Sequence, residues 1–245
     1  MRLLLGNPNT SPAVTEAIAA AARAVASPGV EIKAVTATFG ARIIGTRTEM
    51  AIAEHASVAL MAAEAAGCDA AIIGASLDSG LGAVREMLAI PVLGITEAAL
   101  HVACLCGGRF GLVVMSARSG AVTREMVAAY GLAGRLAGLA VVTAEPGAVV
   151  ADPQALAGAV AAAANRLVES DGADVVVLVG AAMAAMPARV QAAVAVPVIE
   201  GVSCAVTLAE ALVRLRLPKP RAGSYAALPA RELLGVSPAI TALFG

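Results

Sequence analysis

Short apolar runs alternate along the chain with longer Ala-rich segments whose apolar residues recur at helical spacing. The first runs are RLLLG from Arg2, VEIKAVTA from Val30 and DAAIIGA from Asp69, and helical patterns over residues 12–26 and 49–66 separate them. This alternation predicts parallel strands joined by crossover helices. Near-continuous apolar runs such as AAIIG and VVVLVG are typical of strands buried on both faces. The pattern therefore predicts an α/β fold.

The second half of the chain repeats the first. Asp69 aligns with Asp174, so that DAAIIGAS lies over DVVVLVGA without a gap. Downstream, IPVLGITEAAL from Ile90 matches VPVIEGVSCAV from Val196, and upstream LLLGNPNTS matches LVVMSARS. The shared order predicts two Rossmann-like lobes with parallel sheets, related by a pseudo-twofold axis, with the active-site cleft between them.

The predicted boundary between the lobes lies at Gly107 and Gly108, because two adjacent glycines favour a flexible join. The chain is expected to cross back between residues 201 and 206. We assign residues 1–106 and 207–245 to the first lobe and residues 107–206 to the second. The closing segment from Leu208 matches no part of the repeat, and we expect it to wrap back onto the first lobe.

Composition narrows the class of protein. Hydrophobic residues make up 59% of the chain and aromatic residues only 2%, which indicates many small side chains packed tightly between helices and strands. A net charge of -1 and the lack of like-charge blocks argue against binding to nucleic acid or to an anionic membrane. Asn7, Pro8 and Asn9 interrupt the first apolar run well before the length of a signal peptide. We expect a soluble, cytoplasmic protein.

Cysteine and histidine spacing does not predict a metal site. The two histidines, His55 and His101, lie far apart, and no paired CxxC clusters occur. We expect no metal and no cofactor, and His101 is expected to be a packed or capping residue. All four cysteines are expected to be free thiols that fill small apolar spaces: Cys68, Cys104, Cys106 and Cys204.

The candidate site follows from strand direction, because ligands of parallel α/β folds bind beyond the carboxyl ends of the strands. Four loops there are rich in amide, hydroxyl and glycine residues: 7–11, 76–80, 116–119 and 180–183. Their groups suit a small, oxygen-rich ligand. The candidate substrate-binding residues are Asn7, Asn9, Ser11, Ala75, Ser76, Ser116, Ser119, Gly180 and Ala181.

Each of these loops also has a purely structural interpretation. The polar residues of loop 7–11 could shape a turn and cap a helix, with Ser11 as N-cap before Pro12. Ser116 and Ser119 could be N-cap residues, and Asp78 could cap the helix that starts near Leu81. Arg118 could pair with a substrate carboxylate or be a solvated loop arginine.

Several motifs in order resemble the aspartate/glutamate racemase superfamily, and in particular its hydantoin and allantoin racemase branch. They are NPNTS, VTATFG, the DSGL of residues 78–81, IPVLGITEAALHVACLCGGRFGLV, and GADVVVLVGAAM followed by VPVIEGV. The resemblance covers Met1 to about Leu215 and implies the two-lobed fold that the repeat predicts. It also implies proton transfer without a cofactor, in which one cysteine of each lobe acts on opposite faces of a carbon next to a carbonyl.

Both cysteine positions of the family are changed in this chain. Anchored on DSGL, the first falls on Ala75, and anchored on Met183, the second falls on Gly180. The internal repeat pairs the same two positions. Neither side chain can carry a proton, and Cys68 and Cys204 lie outside the predicted site.

We therefore predict an isomerase-family protein that acts on a small cyclic amide, hydantoin- or allantoin-like, or on an amino-acid-derived carboxylate. Proton transfer would occur at the carbon next to a carbonyl, with Ser76 and Asp78 as catalytic candidates; burial could raise the pKa of Asp78 enough for it to act as a base. The alternatives are a thiol-independent racemase, a lyase or decarboxylase using the same cleft, and a non-catalytic binding protein. Its expected partners are a small-molecule substrate and further copies of the chain in a homo-oligomer, not nucleic acid or membrane.

Overall fold

A computed structural model describes residues 1–244. The eight strands of this range are β1 (Arg2–Asn7), β2 (Glu31–Thr36), β3 (Ala70–Ile73), β4 (Val92–Gly94), β5 (Phe110–Val114), β6 (Leu136–Val141), β7 (Val175–Leu178) and β8 (Val198–Glu200). Its α-helices are α1 (Pro12–Val25), α2 (Arg47–Glu64), α3 (Leu81–Met87), α4 (Ile95–Cys106), α5 (Ala117–Ala129), α6 (Pro146–Ala151), α7 (Pro153–Glu169), α8 (Pro187–Val190), α9 (Gly201–Leu215) and α10 (Pro238–Thr241).

The strands form two parallel sheets with the same topology. Their orders are β2-β1-β3-β4 and β6-β5-β7-β8, and equivalent strands pair in the same sense, as Leu5 with Ile72 and Leu112 with Val177 show. Helices connect successive strands in each lobe, as parallel pairing requires. The predicted α/β fold with two repeated lobes is confirmed.

The inner strands are buried because both faces of each sheet are covered. Every residue of β3, β5 and β7 is buried. The main apolar core is continuous between the lobes: it contains Leu3 and Ile72 of the first sheet together with Leu112 and Val177 of the second. Helices α4 and α9 pack against each other and join these two faces.

The amino-terminal ends of α4 and α9 meet between the lobes. Ile95 and Gly201, the first residues of these helices, are equivalent positions in the repeat. A Cβ at Gly201 would overlap the carbonyl of Ile95, so glycine is required there for the close approach. Contact between equivalent residues places the pseudo-twofold axis at this point.

The join between the lobes is held in place by hydrogen bonds. The Arg135 guanidinium donates to the carbonyls of Cys104, Gly107 and Gly108, the last at 2.5 Å. A Cβ at Gly107 would lie 2.5 Å from the Cβ of Asp174. The two glycines permit close packing at the join and expose carbonyls that arginine binds. The flexibility of the join stays a prediction.

The closing segment contacts helices of the first lobe. The Lys219 ammonium donates to the carbonyls of Glu86 and Leu88 at the end of α3, and α10 contacts α2. Within residues 1–244, no helix has the length and apolar character needed to cross a membrane. The four cysteines are free thiols, as predicted, but Cys106 is exposed and only Cys68 and Cys204 are buried. The prediction that all four fill apolar spaces is therefore wrong for Cys106.

Candidate functional site

Two contiguous cavities lie where the carboxyl ends of the two sheets face each other. Their volumes are about 160 and 50 Å³, well below the roughly 300–1,000 Å³ typical of pockets for drug-sized ligands. The walls common to both come from each lobe: Ile43, Ile44, Ser76, Met115 and Pro146. This arrangement suits a small ligand held between the lobes.

The loop after β1 presents one amide to the smaller cavity. Asn9 lines this cavity and is only 6% exposed. Its Oδ1 accepts from the Ser11 amide at 2.9 Å and from Asn7 Nδ2 at 2.8 Å. These two bonds orient the side chain so that Nδ2 remains without a protein partner within residues 1–244, which makes Asn9 a ready donor to a ligand oxygen.

Asn7 and Ser11 have other positions than predicted. The Asn7 side chain is fully buried and its amide donates to Asn9, Ser11 and Thr15, so it shapes the loop and does not line either cavity. Ser11 occupies the N-cap position of α1 but its hydroxyl makes no capping bond, and it is not a lining residue. The sequence alone does not distinguish the residue that lines the cavity from those that shape the loop, because the side chains of Asn7, Asn9 and Ser11 all suit a turn.

The loop after β3 brings Ala75 and Ser76 to the site. Both line the smaller cavity and Ser76 also lines the larger one. The Ser76 carbonyl accepts from Thr96 Oγ1 at 2.8 Å, which fixes the backbone. The Ser76 hydroxyl has no hydrogen-bond partner among residues 1–244 and is therefore available to a ligand.

The second lobe adds a hydroxyl cluster at the start of α5. Ser116, Ser119 and Thr123 line the larger cavity. Ser116 Oγ accepts from the Ser119 amide at 3.1 Å and lies 2.9 Å from Ser119 Oγ. Ser116 is thus both the N-cap of α5 and a cavity residue, so its capping role leaves it in contact with the cavity. Arg118 is exposed and lines neither cavity.

Asp78, predicted as a possible base, does not line either of these cavities. Its carboxylate accepts from the amides of Thr96 and Glu97 at 3.0 and 2.7 Å, and from the Tyr130 hydroxyl at 2.8 Å. It therefore caps α4 and not, as the alternative interpretation had it, the helix at Leu81. Burial raises the pKa of Asp78 to about 7, and the hydrogen bonds oppose this rise.

In the second lobe the equivalent helix, α9, is also capped by a carboxylate, but from a different position in the repeat. The repeat places Met183 opposite Asp78 and Glu200 opposite Gly94. Glu200 is buried, and its carboxylate accepts from the amides of Val202 and Ser203 at the start of α9. A Cβ at Gly94 would overlap the Asp78 carboxylate. Each helix N-terminus thus has one buried carboxylate, which compensates the two positive helix ends that meet there.

Gly180 is separated from the site by a neighbouring side chain. Ala181 lines the smaller cavity, whereas Gly180 lines neither. A Cβ at Gly180 would lie 2.7 Å from Cε of Met115, and Met115 lines both cavities. Gly180 also has a φ of 156°, which residues with side chains rarely adopt.

Several residues that line the cavities were not among the predicted site residues, and they include Ile43, Ile44, Met115 and Glu145. Glu145 is the one ionisable side chain that lines either cavity within the described part of the chain. It is exposed and forms no capping bond with α6. The signal was present, since Ile43 and Glu145 follow β2 and β6, which also end at this edge, but only four of the six loops were considered.

No group of three or more His, Cys, Asp or Glu suited to a metal occurs among residues 1–244. The cavities contain no cysteine. Burial raises the pKa of the Cys68 thiol and raises that of Cys204 to about 12, so both remain protonated thiols.

Sequence comparison agrees with this geometry. The sequence model of the Asp/Glu/hydantoin racemase family matches residues 3–209. The chain belongs to this family. A hydantoin racemase of Paenarthrobacter aurescens is 34% identical over 227 residues, which are 92% of this chain and 96% of that protein.

Solved structures of the racemase family share the whole fold. An allantoin racemase from Klebsiella pneumoniae superimposes with a TM-score of 0.91 at 35% identity, covering 98% of both chains. An allantoin racemase from Pseudomonas fluorescens gives a TM-score of 0.92 at 33% identity over 96% of this chain and all of that chain. The family resemblance proposed from the motifs is confirmed.

Proposed function

We propose that this protein binds a small cyclic amide, hydantoin- or allantoin-like, between its lobes and transfers a proton at the carbon next to a carbonyl without using thiols. The observation that carries the proposal is the polar wall of the cleft. Donors from both lobes converge on cavities of small volume, and these lie at the carboxyl ends of both sheets. The relatives named hydantoin and allantoin racemases support this ligand class.

The binding roles are assigned to polar groups at the cavities, of which Asn9 Nδ2 and the Ser76 hydroxyl have no protein acceptor within residues 1–244. Asn9 Nδ2 and the Ser76 hydroxyl would donate to the carbonyl oxygens of the ring, and Ser116 and Ser119 would bind from the opposite lobe. Such donors stabilise the enolate that forms when the carbon loses its proton.

The base is assigned to Glu145 in place of Asp78. Asp78 is fully used as a helix cap, and a serine hydroxyl such as that of Ser76 is too weak an acid and base to act alone. Glu145 has a carboxylate at the cavity and no protein partner within residues 1–244. Ser76 remains a candidate for a catalytic role through hydrogen bonding to the enolate.

A second candidate function is non-catalytic binding of the same ligands. The observation that favours it is the absence of a proton-carrying side chain at Ala75 and Gly180, the paired positions of the repeat. In this case the donors would hold a ligand without reaction. Oligomerisation with further copies of the chain is compatible with either function and is part of the proposal.

The deciding experiment incubates single enantiomers of 5-substituted hydantoins and of allantoin with the protein in D₂O. Deuterium uptake is followed by NMR and configuration by optical rotation, while calorimetry measures binding of the same compounds. Exchange above the uncatalysed rate supports proton transfer, and binding without exchange supports the second candidate. Absence of binding for every compound would contradict both.

A further inference from the structure

Ala75 and Gly180 are equivalent positions in the repeat, but only Ala75 lines a cavity of the cleft. Ala75 lines the smaller cavity and is followed by Ser76, which lines both. Its repeat equivalent, Gly180, lines neither cavity, although it occupies the same place after the equivalent strand, β7.

Met115 accounts for this difference. It follows β5 and lines both cavities, with Cε 2.7 Å and Sδ 3.7 Å from the Cβ position of residue 180. The repeat places Asn7 opposite Met115, and the Asn7 side chain turns into its own loop through hydrogen bonds to Asn9 and Thr15. The thioether has no such partners and extends towards Gly180.

We infer that Met115 covers position 180 of the second lobe and so determines whether a side chain at that position can reach a ligand in the cleft. The rest of the second-lobe wall, including Ser116, Ser119 and Glu145, is open to the cavities. If the proposed function holds, a thiol placed at residue 180 reaches the ligand carbon only when Met115 is shortened.

The inference predicts that Met115 limits any reconstruction of two thiols. In an Ala75→Cys, Gly180→Cys variant the second thiol shares its space with the Met115 methyl group. Shortening Met115 to alanine removes both Sδ and Cε and leaves that space to the new side chain. The triple variant should therefore invert single enantiomers in D₂O at least ten-fold faster than the double variant.

The first test needs no ligand. Gly180→Cys is prepared alone, with Met115→Ala, and with Met126→Ala as the matched control, because Met126 is a half-buried methionine of α5 outside the cavities. Iodoacetamide alkylation at residue 180 is followed by peptide mass spectrometry. We expect Met115→Ala to raise the alkylation rate at least ten-fold and Met126→Ala to leave it unchanged.

Equal alkylation rates in the three proteins would overturn the inference. If the φ of 156° at residue 180 prevents Gly180→Cys from folding, the native glycine is kept and crystals of Met115→Ala are pressurised with xenon. A xenon atom beside Gly180, absent from the unsubstituted protein, supports the inference, and no xenon there contradicts it. Accelerated alkylation without any ligand exchange would instead refute the proposed function and leave the role of Met115 standing.

Discussion

The cap formed by Asp78 leads to the sharpest prediction about this protein, since the same residue was a candidate base. Asp78→Ala removes the acceptor for two amides at the start of α4 and for the Tyr130 hydroxyl. Loss of a helix cap costs about 0.5–2 kcal/mol, and an unpaired buried hydroxyl about 1–3 kcal/mol. At pH 5 the raised pKa keeps Asp78 protonated, so no buried charge is removed with it and we expect the free energy of unfolding to fall by roughly 2–4 kcal/mol.

The assay is thermal unfolding followed by circular dichroism. For a chain of this size about 1 kcal/mol shifts Tm by roughly 2–4 °C, so Asp78→Ala should lower Tm by roughly 5–12 °C. The second lobe supplies the rescue, because Glu200 caps α9 from the position equivalent to Gly94. Gly94→Glu alone should destabilise, since its side chain overlaps the Asp78 carboxylate, but in the Asp78→Ala background it should restore stability.

The double-mutant cycle gives a clear criterion. If the carboxylate introduced by Gly94→Glu replaces that of Asp78, the free energies of unfolding should show a favourable coupling of about 2 kcal/mol between residues 78 and 94. Hydrogen exchange at the ligand carbon should survive in Asp78→Asn, which keeps the shape of the side chain. An unchanged Tm in Asp78→Ala together with complete loss of exchange would refute the capping role and restore Asp78 as the base.

Three further predictions follow from the structure. Because burial raises the pKa of Asp78 from 3.8 to about 7, its stabilising contribution is complete below pH 4 and is lost as pH rises through 7. The free energy of unfolding falls by about 4 kcal/mol over this range. Asp78→Asn, which cannot ionise, should make that fall smaller between pH 4 and 8, as measured by urea unfolding. Glu145→Gln should lower the exchange rate by about 10²-fold or more at constant Tm, and unchanged exchange would exclude it as the base. Arg135→Ala should cost about 1–3 kcal/mol and speed amide exchange at the lobe join, whereas Arg124→Ala, an exposed control on α5, should do neither.

Sequence predicted the fold well because the signals are repeated and local. The buried strands lie in the apolar runs DAAIIGA and DVVVLVGA, and the alignment of these runs predicts two lobes with the same topology. The loops chosen as the candidate site follow strand ends, which are also local features. Asn9, Ser76, Ser116 and Ser119 indeed line the cavities.

Sequence could not predict contacts between segments far apart in the chain. Arg135, some 27 residues after the glycines at the lobe join, cannot be paired with them from local pattern. Capping of the next helix was the alternative interpretation of Asp78, yet Asp78 caps the helix after that one, since the intervening strand returns beside it. Loop residues such as Ile43 and Glu145 carry no motif, so only their positions after β2 and β6 indicate that they lie at this edge.

The internal repeat also limits what an alignment of one lobe can say about function. Positions 78 and 94 carry Asp and Gly, while their equivalents carry Met and Glu, and both pairs supply one carboxylate to one helix end. A residue change at such a position therefore does not imply a lost role when the partner position changes with it. The same reasoning applies to Gly180, where the decisive partner is Met115 in another loop. Whether a side chain at position 180 has room to reach the cleft depends on both residues together, and a single aligned column cannot reveal it.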